Sequence, residues 1–194
     1  MPCIAVATLA AMYPYITLAI TLLKARNRPK LEIEDSSILH LRAGITDIDI
    51  FRELNNARYF TMMELGRWDY SYRIGLLGLM RSKKWGIAVG GASIRYRRRI
   101  PFLKKFTLNT KLLCHDERWF YFLQETHMGE KICSSALIKA GVTSKDGLVP
   151  ATEVAIALGK EGWGEEMPKW VKAWIDAEGQ RPWPRAPDKE SPTN

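Results

Sequence analysis

One order of patterns constrains this chain more than any other feature: a single long helical run, followed by alternating runs. From Asn56 to about Leu77, Ala57, Phe60, Met63, Leu65, Trp68, Tyr72 and Leu76 recur at three- and four-residue spacing, which predicts a helix. Apolar residues lie nearly all round it, so the helix is expected to be largely buried. Asn55 or Asn56 suits its N-cap. Ahead of it, residues 37–44 alternate briefly and read as a strand. Behind it come four runs of strand character, at 86–97, 106–115, 118–128 and 131–143, with turn pairs at Asp116-Glu117 and Gly129-Glu130. The second run puts Phe106, Leu108, Thr110, Leu112 and Cys114 on one face. The last alternates Ile132, Ser134, Ala136, Ile138, Ala140 and Val142. The third is dense in aromatics from Trp119 to Phe122, which suit either a pocket wall or core. The fold class is therefore α+β.

The amino terminus is of a different kind. No charged side chain precedes Lys24, and residues 4–23 are uncharged and mostly apolar. At a rise of ~1.5 Å per residue such a stretch reaches ~30 Å, the thickness of a bilayer core. Lys24, Arg26, Arg28 and Lys30 follow with no acid among them. A secretory signal would carry its charges first. Two readings fit: a transmembrane helix kinked at Pro14, or a buried core helix. The lack of a polar face favours the first. The positive-inside rule then keeps the following domain in the cytoplasm.

The domain plan is an anchor with its basic flank over 1–30, the α+β domain over 31–148, a helical extension over 149–179 and a disordered tail over 180–194. The extension carries a short helix at 151–158 and a second at 168–177. Trp170, Val171, Trp174 and Ile175 share one face of the second. That face suits packing on the sheet edge, or else a membrane interface. The tail holds four prolines in fifteen residues. Cys3, Cys114 and Cys133 match no zinc or redox spacing, which suits a reducing compartment and implies no metal.

The net charge of +8 concentrates in residues 81–105, which hold nine basic residues and no acid. Arg95, Arg97 and Arg99 would face one way on a strand, with Tyr96 and Arg98 the other way. Arginine forks suit phosphate, so coenzyme A and anionic lipid headgroups both fit. Nucleic acid, stacking on Trp85 and Tyr96, ranks last beside a membrane span.

Thr46-Asp47-Ile48-Asp49 followed by Leu54-Asn55-Asn56-Ala57-Arg58-Tyr59 resembles the opening motif of the 4-hydroxybenzoyl-CoA type of acyl-CoA thioesterase, D-x-D-x-x-G-H-V-N-N-x-x-Y. Glu64, Arg67 and the run Ile94-Arg95-Tyr96-Arg97-Arg98-Arg99 extend the resemblance, which covers about residues 36–145. The hydrophobic amino terminus resembles that of single-pass, thioesterase-like membrane proteins in the same superfamily.

The resemblance implies a hot-dog fold, in which an antiparallel sheet wraps one central helix. It implies an acyl-CoA substrate, no cofactor, and a homodimer or dimer of dimers with the site between two subunits. By resemblance Asp49 is the nucleophile or general base, and the backbone N–H of Asn56 is the oxyanion donor. Asp47 is structural, and Asn55 and Asn56 shape the turn and cap the helix. Asn55, Tyr59, Arg95, Arg97, Arg98 and Arg99 contact substrate. Glu64 is a second candidate acid, since some hot-dog enzymes take theirs from the helix; a partner at Arg67 would make it structural. Where the family commonly has Gly-His, this chain has Arg52-Glu53. That departure supports an alternative: a non-catalytic acyl-CoA- or lipid-binding protein on the same fold.

Overall fold

A computed structural model describes residues 15–164 and 166–182. Helix α1 spans Tyr15–Arg26 and strand β1 Ser36–Arg42. A 3-10 turn at Ile45–Asp47 leads through a tight loop to α2, Asn56–Arg73, and then to α3, Leu76–Lys83. Four long strands follow: β2 (Gly86–Tyr96), β3 (Lys105–His115), β4 (Phe120–Met128) and β5 (Lys131–Ser144). A short β6, Gly147–Leu148, precedes α4 (Ala151–Ala157) and α5 (Lys169–Gln180). Residues 4–14 of the expected span, Cys3, and Trp183 with the tail after it lie outside the described residues.

The sheet order is β1-β3-β4-β5-β2, with β6 beside β5 and every pairing antiparallel. The expected order of one strand, a long helix and four strands is met. Helix α2 packs against the inner face of the sheet, where Met63, Tyr70, Leu108, Leu112, Phe122 and Ile138 form the main core. Gly66 makes the close approach possible. A Cβ there would lie 2.5 Å from Thr110 Oγ1 and 2.8 Å from Leu108 Cδ2. Tyr70 meets Phe122 edge to face at 5.9 Å and donates its hydroxyl to the Ile33 carbonyl.

Three expectations are corrected. The long helix ends at Arg73 rather than near Leu77. Gly75 takes a left-handed φ of 86°, which breaks the helix, and Leu76 starts α3. Helix α2 is buried on part of its surface only, since Ala57, Phe60 and Tyr72 turn outward. Cys114 does not share a face with Leu112: a register shift between them in the β3–β4 pairing moves Cys114 to the outer face. There it packs with Tyr121, Leu137 and Val171.

Helix α5 covers that outer face rather than a sheet edge. Val171 is fully buried, and Trp174 lies edge-on to Tyr121 at 6.4 Å. Trp170 remains half exposed. Among the described residues no helix is long and apolar enough to cross a membrane. Helix α1 packs along α2 through Thr21 and Ala25. Its opposite face presents Ile16, Ile20 and Leu23, exposed at 73%, 46% and 64%.

Candidate active site

The sequence before α2 folds into a closed loop. Ile48 bridges to Leu54, Asp49 N–H donates to the Glu53 carbonyl, and Arg52 N–H donates to the Asp49 carbonyl. Asp49 Oδ1 accepts from the N–H of Phe51 at 2.8 Å and of Glu53 at 3.4 Å. Such a side-chain-capped turn is what an Asp at this position favours. Oδ2 of Asp49 has no hydrogen-bond partner among the described residues. Arg52 stands where the family has glycine, and its φ is 58°, the left-handed region. Its guanidinium lies 6.0 Å from the Phe102 ring centre.

Asn55 caps α2, its Oδ1 accepting from Ala57 N–H at 2.9 Å. The N–H of Asn56, first residue of the helix, has no acceptor within the helix, and the helix dipole adds positive potential there. Asp47, nearly buried, accepts from Arg58 Nε and Nη2 at 2.9 and 2.7 Å and from Gly44 N–H. It ties the loop to the first turn of α2.

Around this helix end lie Tyr59, Tyr96, Glu53 and Arg99. Tyr59 is buried and meets Tyr96 edge to face at 5.0 Å. Burial, aided by Cys133, Tyr96 and Glu53, holds the Tyr59 phenol protonated far above the ordinary tyrosine range. Arg99 Nε lies 3.3 Å from Glu53 Oε2.

The expected arginine row is divided. Strand β2 stops at Tyr96, so the alternation expected through Arg99 ends there. Arg97 and Arg98 donate backbone N–H groups to the Cys133 carbonyl, and Arg98 Nη1 reaches the Ile132 carbonyl. Arg95 lies on the outer face beside Trp170, Trp174 and Glu125, away from the helix end.

Glu64 is also elsewhere. It lines a small cleft of about 110 Å³ with Arg67, Trp68, Ile87, Phe120 and Phe122. Glu64 Oε1 accepts from Trp68 Nε1 at 3.5 Å, and Arg67 donates to Gln124 Oε1 at 2.7 Å. Phe120 and Phe122 thus line this cleft, whereas Trp119 and Tyr121 pack on the outer face. Among the described residues no group of three or more His, Cys, Asp or Glu side chains is placed to hold a metal.

The sequence pattern of the thioesterase-like superfamily matches residues 43–175. The chain belongs to that superfamily. The match contains the loop, α2, strands β2 to β5 and most of α5. Protein THEM6 of Drosophila melanogaster is 28% identical over 151 residues, 76% of this chain and 76% of that protein. Protein THEM6 of Xenopus laevis is 32% identical over 123 residues, 62% of this chain and 58% of that one. Solved structures of thioesterase-like proteins share the fold. YbaW, a probable thioesterase from Escherichia coli, aligns with a TM-score of 0.59 at 20% identity, over 63% of this chain and 96% of its own. SAV2348 from Staphylococcus aureus, solved in complex with CoA, aligns at 0.58 and 10% identity, over 73% and 95%. The hot-dog architecture of this superfamily member is thereby shown.

Sequence reasoning missed two partners in the superfamily fold. The Arg58–Asp47 pair spans 11 residues and Arg67–Gln124 spans 57. The first had a signal in the adjacent motif. The second depends on which face of β4 meets α2, and nothing local marks it.

Proposed function

We propose that this chain is an acyl-CoA thioesterase, hydrolysing an acyl-CoA thioester to free acid and CoA. The observation that carries the reading is the spare carboxylate oxygen of Asp49, held in the closed loop that leads into the amino terminus of α2. Asp49 acts as general base on water, or as the nucleophile itself. In the general-base route water adds to the thioester carbonyl and the C–S bond breaks. The proton taken from water goes to the CoA sulfur. The Asn56 N–H stabilises the oxyanion, where helix-end donors are most effective. Arg97, Arg98 and Arg99 suit the phosphates of CoA, with Asn55 and Tyr59 nearer the acyl group. Arg95 faces away from this end and fits that role least.

The same reading makes the working unit a homodimer. β2 is an edge strand over its full length, with Ile87 and Val89 exposed, and Ile50 and Phe51 project beside Asp49 at 88% and 74% exposure. A second copy would cover both and close the site. A dimer of dimers is compatible with it.

The test is thiol release from a panel of acyl-CoAs of graded chain length. Wild type is expected to turn over at least one member, and Asp49→Asn to lose about 100-fold or more, the loss of a general base. Full activity in Asp49→Asn sinks the assignment; the same loss in Glu64→Gln instead moves the acid to the cleft. The alternative, a non-catalytic acyl-CoA- or lipid-binding protein, is favoured by the two backbone donors already on Asp49 Oδ1 and by Arg52-Glu53. It predicts saturable binding and no turnover on any member.

The membrane anchor belongs to this proposal. It is supported by the uncharged residues before Lys24 and the outward apolar stripe Ile16, Ile20 and Leu23. The full chain is expected to stay with membranes through a high-salt wash, with its catalytic domain on the cytoplasmic side. Deletion of residues 1–23, which keeps Arg28, is expected to release it. An intact chain found in the supernatant overturns the anchor.

A further inference from the structure

A second concavity lies away from Asp49 and from the Glu64 cleft. It is a groove of about 630 Å³ between α1, the first half of α2 and the open edge of β1. Its volume is in the range of small-molecule sites. Its walls are of two kinds. Ile20, Ile38, Leu41, Met62 and Leu65 supply an apolar lining, and Lys24, Arg28, Arg42 and Arg58 supply four cations against the single carboxylate of Asp47.

Two of those cations are already matched. Arg58 is held by Asp47, and Arg28 by Asp69 at 3.0 Å. Lys24 and Arg42 are exposed and meet no carboxylate among the described residues. A groove that is apolar along its wall and carries two unmatched cations is complementary to an anionic amphiphile. Its position names the source. Ile20 belongs both to the groove and to the outward apolar stripe of α1, so an apolar tail in the groove continues directly onto that stripe. On the anchor proposed above, on which this choice of source rests, Lys24 is the first charge after the apolar run and lies at the depth of a headgroup phosphate.

We propose that this groove binds an anionic phospholipid, its phosphate between Lys24 and Arg42 and its first chain segments along Ile20, Leu41 and Met62. The binding rests on none of the residues assigned to hydrolysis.

The test uses the full chain in a nonionic detergent, titrated with dioctanoyl phosphatidic acid, dioctanoyl phosphatidylcholine, inorganic phosphate and CoA. Saturable binding of phosphatidic acid is expected, at least ~10-fold tighter than phosphatidylcholine, since each basic residue near a lipid anion is worth ~1 kcal/mol. Lys24→Gln with Arg42→Gln is expected to remove that preference while the melting temperature and thiol release stay unchanged. Ile38→Glu, at a position exposed by 44%, sets a carboxylate in the groove and is expected to have the same effect. Equal affinity for both lipids overturns the proposal. So does undiminished phosphatidic acid binding in both variants, or displacement of the lipid by equimolar inorganic phosphate or CoA.

Discussion

One aspartate lies near the carboxyl end of helix α2 and another in the loop that leads into its amino end, and the two are treated in opposite ways. Asp69, near the carboxyl end, is fully buried. Its carboxylate takes Arg28 at 3.0 Å, Arg73 at 3.5 Å and the Ser37 hydroxyl. Arg28 goes on to the Ile38 carbonyl and Arg73 to the Pro29 carbonyl. Every oxygen there is matched by a charged or hydroxyl donor, and the cluster ties the segment after α1, β1 and α2 into one body. Asp49, before the amino end, has only backbone donors, on one oxygen, and sits in a loop whose tip is exposed. A carboxylate buried among cations is committed to structure, because moving its charge would leave theirs unpaired. A carboxylate with a spare oxygen in a partly open loop can accept a proton. Asp47 stands between the two cases: one arginine, a nearly buried position, and a loop-fastening role.

The sharpest way to break this contrast is to exchange the losses. Asp69→Ala leaves Arg73 in the interior without its carboxylate and is expected to cost about 3–5 kcal/mol of stability, read from chemical denaturation. Loss of less than about 1 kcal/mol would mean that the clasp contributes little. Asp49→Asn is expected to do the reverse. Thiol release falls by about 100-fold, or ~2.7 kcal/mol in the barrier, while the denaturation midpoint stays near wild type. A variant that lost stability and activity together would assign Asp49 to the structural class.

The contrast was only half legible in the sequence. The motif around Asp47 and Asp49 lies within a dozen residues, so local chemistry shows the loop, the cap and the helix start together. The Asp69 cluster joins residues 41 apart in sequence for Arg28 and 32 apart for Ser37. Nothing in a helical period marks Asp69 as buried until α1 and β1 are placed beside it. Asp69 falls on α2 between Trp68 and Tyr70, where a charged residue reads as a solvated face. The β3 bulge was hidden for a related reason. An alternating run predicts one face per strand, and one extra residue moves Cys114 to the other side without changing composition. Arg28 shows the same limit at the amino terminus, where it reads as part of a basic flank and is instead the partly exposed partner of the buried Asp69.

The interior holds protons as firmly as it holds charges. Burial first, and then the Asp116 carboxylate, push the Cys114 thiol from 9.0 to about 11. Tyr70, next to Asp69, is raised above the ordinary tyrosine range by burial and by Glu34 and Asp35. In both cases the folded protein keeps a proton that the unfolded chain releases. The Cys114 contribution is complete below about pH 9 and is lost as pH rises through 11, whereas that of Tyr70 starts to be lost only above pH 10. Melting temperature is therefore expected to fall steadily between pH 9 and 11, and the Cys114→Ala variant to fall less. A flat profile across that window would mean that the Cys114 environment opens in solution.

The smallest expected effect bears on the open end directly. Arg52 holds a left-handed φ of 58° in the loop that carries Asp49. For a residue with a Cβ that conformation costs about 1–2 kcal/mol, and its contact with Phe102 returns at most about 0.5–1 kcal/mol at an exposed site. Arg52→Gly removes both, and also adds freedom to the unfolded chain, so its net effect on stability is close to zero. Arg52→Ala removes the same aromatic contact and keeps the strain. The difference between the two variants is the informative quantity: glycine is expected to be more stable than alanine by about 1 kcal/mol. Equal stabilities would show that the loop relaxes around residue 52, and with it the turn that fixes the Asp49 carboxylate. A glycine advantage accompanied by unchanged thiol release would show that the turn geometry survives without Arg52, and that departure from the family's glycine carries a conformational cost but no loss of chemistry.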